Sequence, residues 1–169
     1  MAIAAATWAV IDQIGLDQAI DATSTTQVYK AGKRVKCRDM STAERGEAEF
    51  QYGKGVASVV AGDVCVISPN NDAAIRTVAR SIGQLGVAMA AVVASNWGWF
   101  QVRGTAVVNV AASFADNLAC YLTATAGVLD DAVVTGDLVY GARSASAIDT
   151  NQALVDLQYP FTGDTDNSA

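Results

Sequence analysis

The sequence predicts an all-β protein, an antiparallel β-sandwich or β-barrel with an extended N-terminal arm. Three observations carry that expectation. Short apolar runs recur roughly every 8–12 residues, separated by turn signals such as Gly62-Asp63, Pro69-Asn70 and Gly136-Asp137. Basic and apolar residues alternate with period two over 33–38, and acidic and apolar residues do the same over 47–52. The uncharged stretch between Arg80 and Arg103 is interrupted by Gly83, Gln84, Gly86, Ser95, Asn96 and Gly98. A membrane helix needs about 20 predominantly apolar residues, and glycines weaken a helix interior. Two buried strands, 87–93 and 99–103, joined by a turn at 95–98, fit that stretch better.

Taken in order, the chain divides into an arm, 1–28, a β domain, 29–161, and a flexible polar tail, 162–169. The arm is Ala-rich at first and ends in the polar run 21–27, whose β-branched residues continue a helix poorly. It is read as a partly extended segment ordered by lying on a neighbouring molecule, with a short helix packed on its own domain as the alternative. Next comes a hairpin with a definite register. Setting Arg38 opposite Glu47, Lys36 opposite Glu49 and Arg34 opposite Gln51 pairs charges on one face. The same register sets Val35 opposite Phe50 and Cys37 opposite Ala48 on the other, and a slip of one residue breaks both patterns. The polar loop 39–46 joins the two strands.

Further strands are expected at 56–60, 64–68, 105–110, 118–123, from 128 onward, at 138–141 and at 153–159, with 74–78 a short strand or linker. Turns fall at 69–72 and 125–127, with a loop at 113–117. Gly62-Asp63 and Gly136-Asp137 precede similar apolar triplets and read as one local turn used twice.

With 169 residues the chain can bury a core of its own. Its 51% hydrophobic and 17% charged content leaves little charge to cover the surface, so some apolar area is expected to meet a partner, in a homo-oligomer at least. A net charge of −6 argues against nucleic acid, whose phosphates require clustered Lys and Arg. Cys37, Cys65 and Cys120 match no metal spacing and read as buried free thiols. The N-terminus lacks the basic region of a signal peptide, so synthesis in a reducing cytoplasm is expected.

Catalytic chemistry is poorly supplied. The chain has no histidine, the commonest general base and metal ligand. It carries no GxSxG, GxxxxGK[ST] or GxGxxG pattern. Asp130-Asp131 reads as a solvated turn, and 70–72 lacks the further carboxylates of a calcium loop. No catalytic residue, metal ligand or cofactor is expected. Two features could bind a partner. Trp97, Trp99 and Tyr52 could stack on a sugar, against the plainer reading of core or interface packing. Lys30, Lys33, Arg34, Lys36 and Arg38 could dock on an acidic surface, against the plainer reading of a solvated face balanced by Glu47 and Glu49.

The succession 46–56 (GEAEFQYGKGV), 86–90 (GVAMA), 97–104 (WGWFQVRG), 124–127 (ATAG), Gly136-Asp137 and 141–143 (GAR) resembles small structural proteins of tailed bacteriophages that decorate the capsid as cement proteins. The resemblance covers roughly 29–160 and rests on the order and spacing of motifs that are individually common. It implies a non-enzymatic virion protein on the capsid exterior, bound to the major capsid protein, a trimer or other small oligomer, with no role for membrane or nucleic acid. Trp8, Lys33, Arg34, Lys36, Arg38, Trp97 and Trp99 are the expected capsid or subunit contacts. The alternatives are an adhesion module reading host glycan through Trp97 and Trp99, and a head–tail or tail component.

Overall fold

A computed structural model describes residues 7–11, 15–41 and 45–163. Among these the protein is all-β, with no helix. Strands β1 (Trp8–Val10), β2 (Arg34–Asp39), β3 (Glu47–Lys54), β4 (Val64–Ile67), β5 (Ala74–Arg76) and β6 (Gly83–Ala88) form the first half. Strands β7 (Trp97–Asn109), β8 (Ala119–Leu122), β9 (Leu129–Asp130), β10 (Leu138–Ser144) and β11 (Gln152–Thr162) form the second. They make one antiparallel sheet in the order β1-β2-β3-β7-β6-β11-β10-β8-β9, with the β4–β5 hairpin attached through β6. The sheet does not close, so the arrangement is sandwich-like and not a barrel.

The β2–β3 hairpin has the expected register, pair for pair, from Arg34 opposite Gln51 to Arg38 opposite Glu47. Val35 and Cys37 are buried, while Arg34, Lys36 and Arg38 point out. The period-two alternation therefore fixed both pairing and face.

Other boundaries differ. The expected strand at 87–93 lies earlier, at β6, because Gly83 and Gln84 already pair with the end of β11. The expected turn at 95–98 is shorter, since Trp97 and Gly98 pair with Lys54 and Gly53 inside β7. Strands 99–103 and 105–110 are one strand that runs through Gly104 (φ +87), where a Cβ would sit 2.4 Å from the Glu47 carbonyl oxygen. Residues 56–60 form a loop, not a strand. The expected tail begins too early: Thr162 is buried, pairs with Gly83, and donates through its hydroxyl to the Ser81 carbonyl. Residues 164–169 lie outside the described part.

The arm is corrected most. Residues 1–6 and 12–14 lie outside the described part, but Trp8 to Val10 pair with β2 as an edge strand. The described residues 15–28 contain no helix and pack on their own chain. Ile20 enters a cluster with Val35, Phe50, Tyr52 and Trp99. A second cluster, around Cys65, Ile67, Val92 and Phe100, lies on the other side of β7. The third and largest fills the C-terminal half around Leu85, Val108, Leu122, Val155 and Leu157.

Among the described residues the turn expected twice occurs seven times, at 30–33, 60–63, 78–81, 93–96, 111–114, 125–128 and 134–137. In each, the fourth residue's N–H donates to the first residue's carbonyl. The third residue has φ between 64° and 85°, as a type II turn requires. Ala or Thr always stands second, with Gly third in four cases and Arg80, Ser95 and Ser113 in the others.

Candidate functional site

β2 and β3 display a charged outer face. The Arg38 guanidinium Nη2 lies 2.7 Å from Glu47 Oε1, and both side chains are exposed. Arg34 Nε donates to Gln51 Oε1 at 2.9 Å, and Arg34 Nη1 approaches Glu49 Oε1 at 3.7 Å. Lys36 points to the same side. Lys33 does not join them. It precedes the strand, and its Nζ sits 4.1 Å from the centroid of the Tyr29 ring. The expected basic cluster is therefore divided: Arg34, Lys36 and Arg38 share a surface, while Lys33 covers an aromatic group.

The tryptophans are placed differently from expectation. Trp99 is 0% exposed, so it can be neither a glycan platform nor a contact residue. Its Nε1 donates to the Gln18 carbonyl at 3.2 Å. Tyr52, also fully buried, packs 5.0 Å from Trp99 and donates its hydroxyl to Gln18 Oε1 at 2.9 Å. Gln18 Nε2 donates to the carbonyls of Ala22 and Trp97. Burial raises the Tyr52 phenol above its ordinary pKa. Trp97 is half-buried, stacked on Tyr52 at 5.8 Å with Lys54 Nζ 5.9 Å from its ring. Trp8 is half-buried edge-on to Phe50 at 5.0 Å. The plainer reading, core packing, holds for Trp99 and Tyr52.

The sequence reading missed an aromatic row on the outer face of the other half of the sheet. Tyr140 stacks on Phe161 at 5.2 Å, and both are exposed. Tyr159 lies two residues before Phe161 and is also exposed. Its phenol donates to Glu49 Oε2 at 2.9 Å, and the Arg34 guanidinium sits 5.5 Å from its ring. That hydrogen bond, which favours the neutral phenol, raises its pKa. The backbone builds the row. β10 and β11 pair Tyr140 with Phe161 and Ala142 with Leu157, leaving Gly141 opposite three residues. Within this bulge Tyr159 takes φ +53, uncommon for a bulky side chain, and Gln158 and Tyr159 are both exposed. Pro160, flanked by Tyr159 and Phe161, was the available signal, since proline inside a strand marks an edge or a bulge.

The cysteines are the expected free, buried thiols. Burial pushes Cys120 up to about 12 and raises Cys65 further still. Asp63, almost fully buried, holds Arg76 Nε at 2.8 Å and accepts from Asn109 Nδ2 at 2.9 Å, joining the 60–63 turn to β5 and β7. No group of three or more metal-ligating side chains occurs among the described residues. Asp131 is no free carboxylate: its Oδ2 accepts from the Ala115 N–H at 3.0 Å.

No model of a known protein family matches the chain, and no curated protein matches it.

Proposed function

We propose that this chain is a structural protein of a tailed-bacteriophage virion that binds the outer capsid surface and stabilises the shell. One observation carries the reading: an outward strip of Arg34, Lys36 and Arg38 on a chain whose net charge is −6. With Glu47 and Glu49 paired on the same face, the strip is positive by about one charge, a modest local reversal that suits docking on an acidic protein surface, here the major capsid protein. The ordered succession of Gly-aromatic motifs supports the same reading. The all-β, sandwich-like sheet is compatible with it. The supply of reactive groups is thin, with no histidine in the chain and its three thiols buried.

Stabilisation follows from mass action. A protein that binds the assembled lattice and not its dissociated subunits shifts the equilibrium by about 2.7 kcal/mol per site at 100 times its dissociation constant. Many equivalent sites then act together on one shell.

The test uses purified protein and capsids lacking it. Binding is expected to saturate and to raise the temperature of capsid disruption. Lys36→Gln with Arg38→Gln, which removes both charges without setting like charges opposite Glu49 and Glu47, is expected to weaken binding at least about tenfold, with the melting of the isolated protein little changed. Full occupancy without a rise in disruption temperature defeats the stabilising role. Labelled protein seen by electron microscopy on the tail defeats the shell location.

A further inference from the structure

The outer face of the C-terminal half carries a surface polarised from end to end. At one end Asp130 pairs with Tyr121, and Tyr121 pairs with Leu138. These residues alternate with the buried Leu129, Cys120, Leu122 and Val139, so all three point out. Tyr140 follows on the same side, stacked on exposed Phe161, and next stands Tyr159 with Arg34 over its ring. A carboxylate therefore stands at one end, a guanidinium at the other, and rings fill the middle. The left-handed Tyr159 and the bulge around it hold those rings outward, and strained backbone of this kind concentrates at functional surfaces.

We infer that this row is a two-fold contact between two copies of this chain. A second copy, turned by 180° about an axis crossing the row at the Tyr140–Phe161 stack, lays ring on ring. The same turn brings Arg34 of each copy to Asp130 of the other. A patch with opposite charges at its two ends is complementary to itself, which an isologous contact requires. An acidic partner would leave Asp130 opposed by like charge. The three rings, each between 38% and 51% exposed, offer roughly 80–100 Å² apiece on the scale of an aromatic side chain. That is a desolvated centre for a small interface, since a standard one buries about 800 Å² per partner. Tyr and Arg are also the residue types that most often dominate such centres. This contact does not rest on the capsid reading, although it takes Arg34 from the basic strip and leaves Lys36 and Arg38 to it, and it is two-fold where the sequence resemblance favoured a trimer.

Sedimentation equilibrium of the full chain from about 1 to 100 µM tests it. A reversible dimer is expected. Phe161→Ser, at an exposed position, is expected to raise the dissociation constant at least about tenfold while leaving the thermal transition cooperative. Arg34→Glu leaves both ends acidic, and Asp130→Arg leaves both basic, so each variant alone is expected to be monomeric. Mixed in equal amounts they are expected to form a one-to-one heterodimer. Both intramolecular environments stay altered in that mixture, so recovery reports on the contact between copies alone. A monomer throughout the range, a trimer, a dimer indifferent to Phe161→Ser, or a mixture that stays monomeric overturns the inference. Capsid binding by a protein that is monomeric in solution overturns it too, and leaves the capsid proposal standing.

Discussion

At the scale of residues, the seven repeated turns explain where local chemistry and backbone demand agree and where they do not. Glycine meets φ > 0 without penalty at 32, 62, 127 and 136, whereas Ser95 and Ser113 hold the same conformation with a Cβ. Left-handed backbone costs an L-residue about 1–2 kcal/mol, against roughly 0.5–1 kcal/mol for glycine's extra freedom when unfolded. Ser95→Gly and Ser113→Gly are each expected to stabilise the protein by about 0.5 kcal/mol, seen as a higher urea midpoint at constant slope. Gly62→Ala should act oppositely, since φ is +85 there and a Cβ would meet Asn109 Oδ1 at 2.8 Å. The turn was legible from Gly-Asp at 62–63 and 136–137. The turns holding Gly127, Ser95 and Ser113 were also marked, at 125–127, 95–98 and 113–117, the last two placed two residues late, whereas the arginine version at 78–81 was not, because arginine carries no turn signal of its own.

At the scale of elements, the β2–β3 hairpin was legible to the individual pair. Both of its strands alternate cleanly, and only one register satisfies charge on one face and burial on the other. The N-terminal segment was misread because its decisive side chain, Gln18, is polar. Nothing in a polar residue announces that it will be buried and fully bonded beneath Trp99 and Tyr52. Truncation of this segment is expected to damage the fold. Removal of residues 1–27 strips Ile20 from the core and uncovers Trp99 and Tyr52, leaving their polar groups without Gln18. Loss of one large buried aliphatic side chain alone costs about 2–5 kcal/mol. The truncated chain is expected to melt at a clearly lower temperature, with tryptophan emission shifted to the red. An unchanged melting curve and emission maximum would show that the segment is dispensable to the fold. The aromatic row stayed hidden because its residues come from two strands, β10 and β11, and a bulge breaks the alternation that would have placed Tyr159.

At the scale of the whole molecule, the buried thiols tie stability to alkaline pH. In the folded chain the Cys120 pKa is raised to about 12 from its ordinary value of 9.0, and that of Cys65 is raised as well, both chiefly by burial. A group with a raised folded pKa contributes stability that is complete below its unfolded value and is lost as pH climbs through the folded one. The unfolded chain releases these protons from about pH 9 upward while the folded chain keeps them. Stability is therefore expected to fall as pH rises from about 9 toward 12. Replacing both residues with Ala, or with Val where space allows, should flatten that decline. A chemical-denaturation series across this range checks the slope. Native protein should also resist a thiol reagent at pH 8 that labels all three cysteines after denaturation.

The branch in the sheet also governs how the chain acquires its structure. β11 is the last strand in sequence, yet it lies inside the sheet, bound to β7, β6 and β10. The largest cluster needs its Ala153, Val155 and Leu157 to be complete. During synthesis, most of the apolar residues of β6, β7 and β8 emerge before the strand that seals them. The N-terminal hairpin can form early, whereas the C-terminal half must wait for residues 152–162 to leave the ribosome. Such long-range closure makes folding slow and leaves unpaired edges exposed meanwhile. Until β11 has emerged, a nascent chain of this protein is therefore expected to expose the apolar surface that chaperones bind.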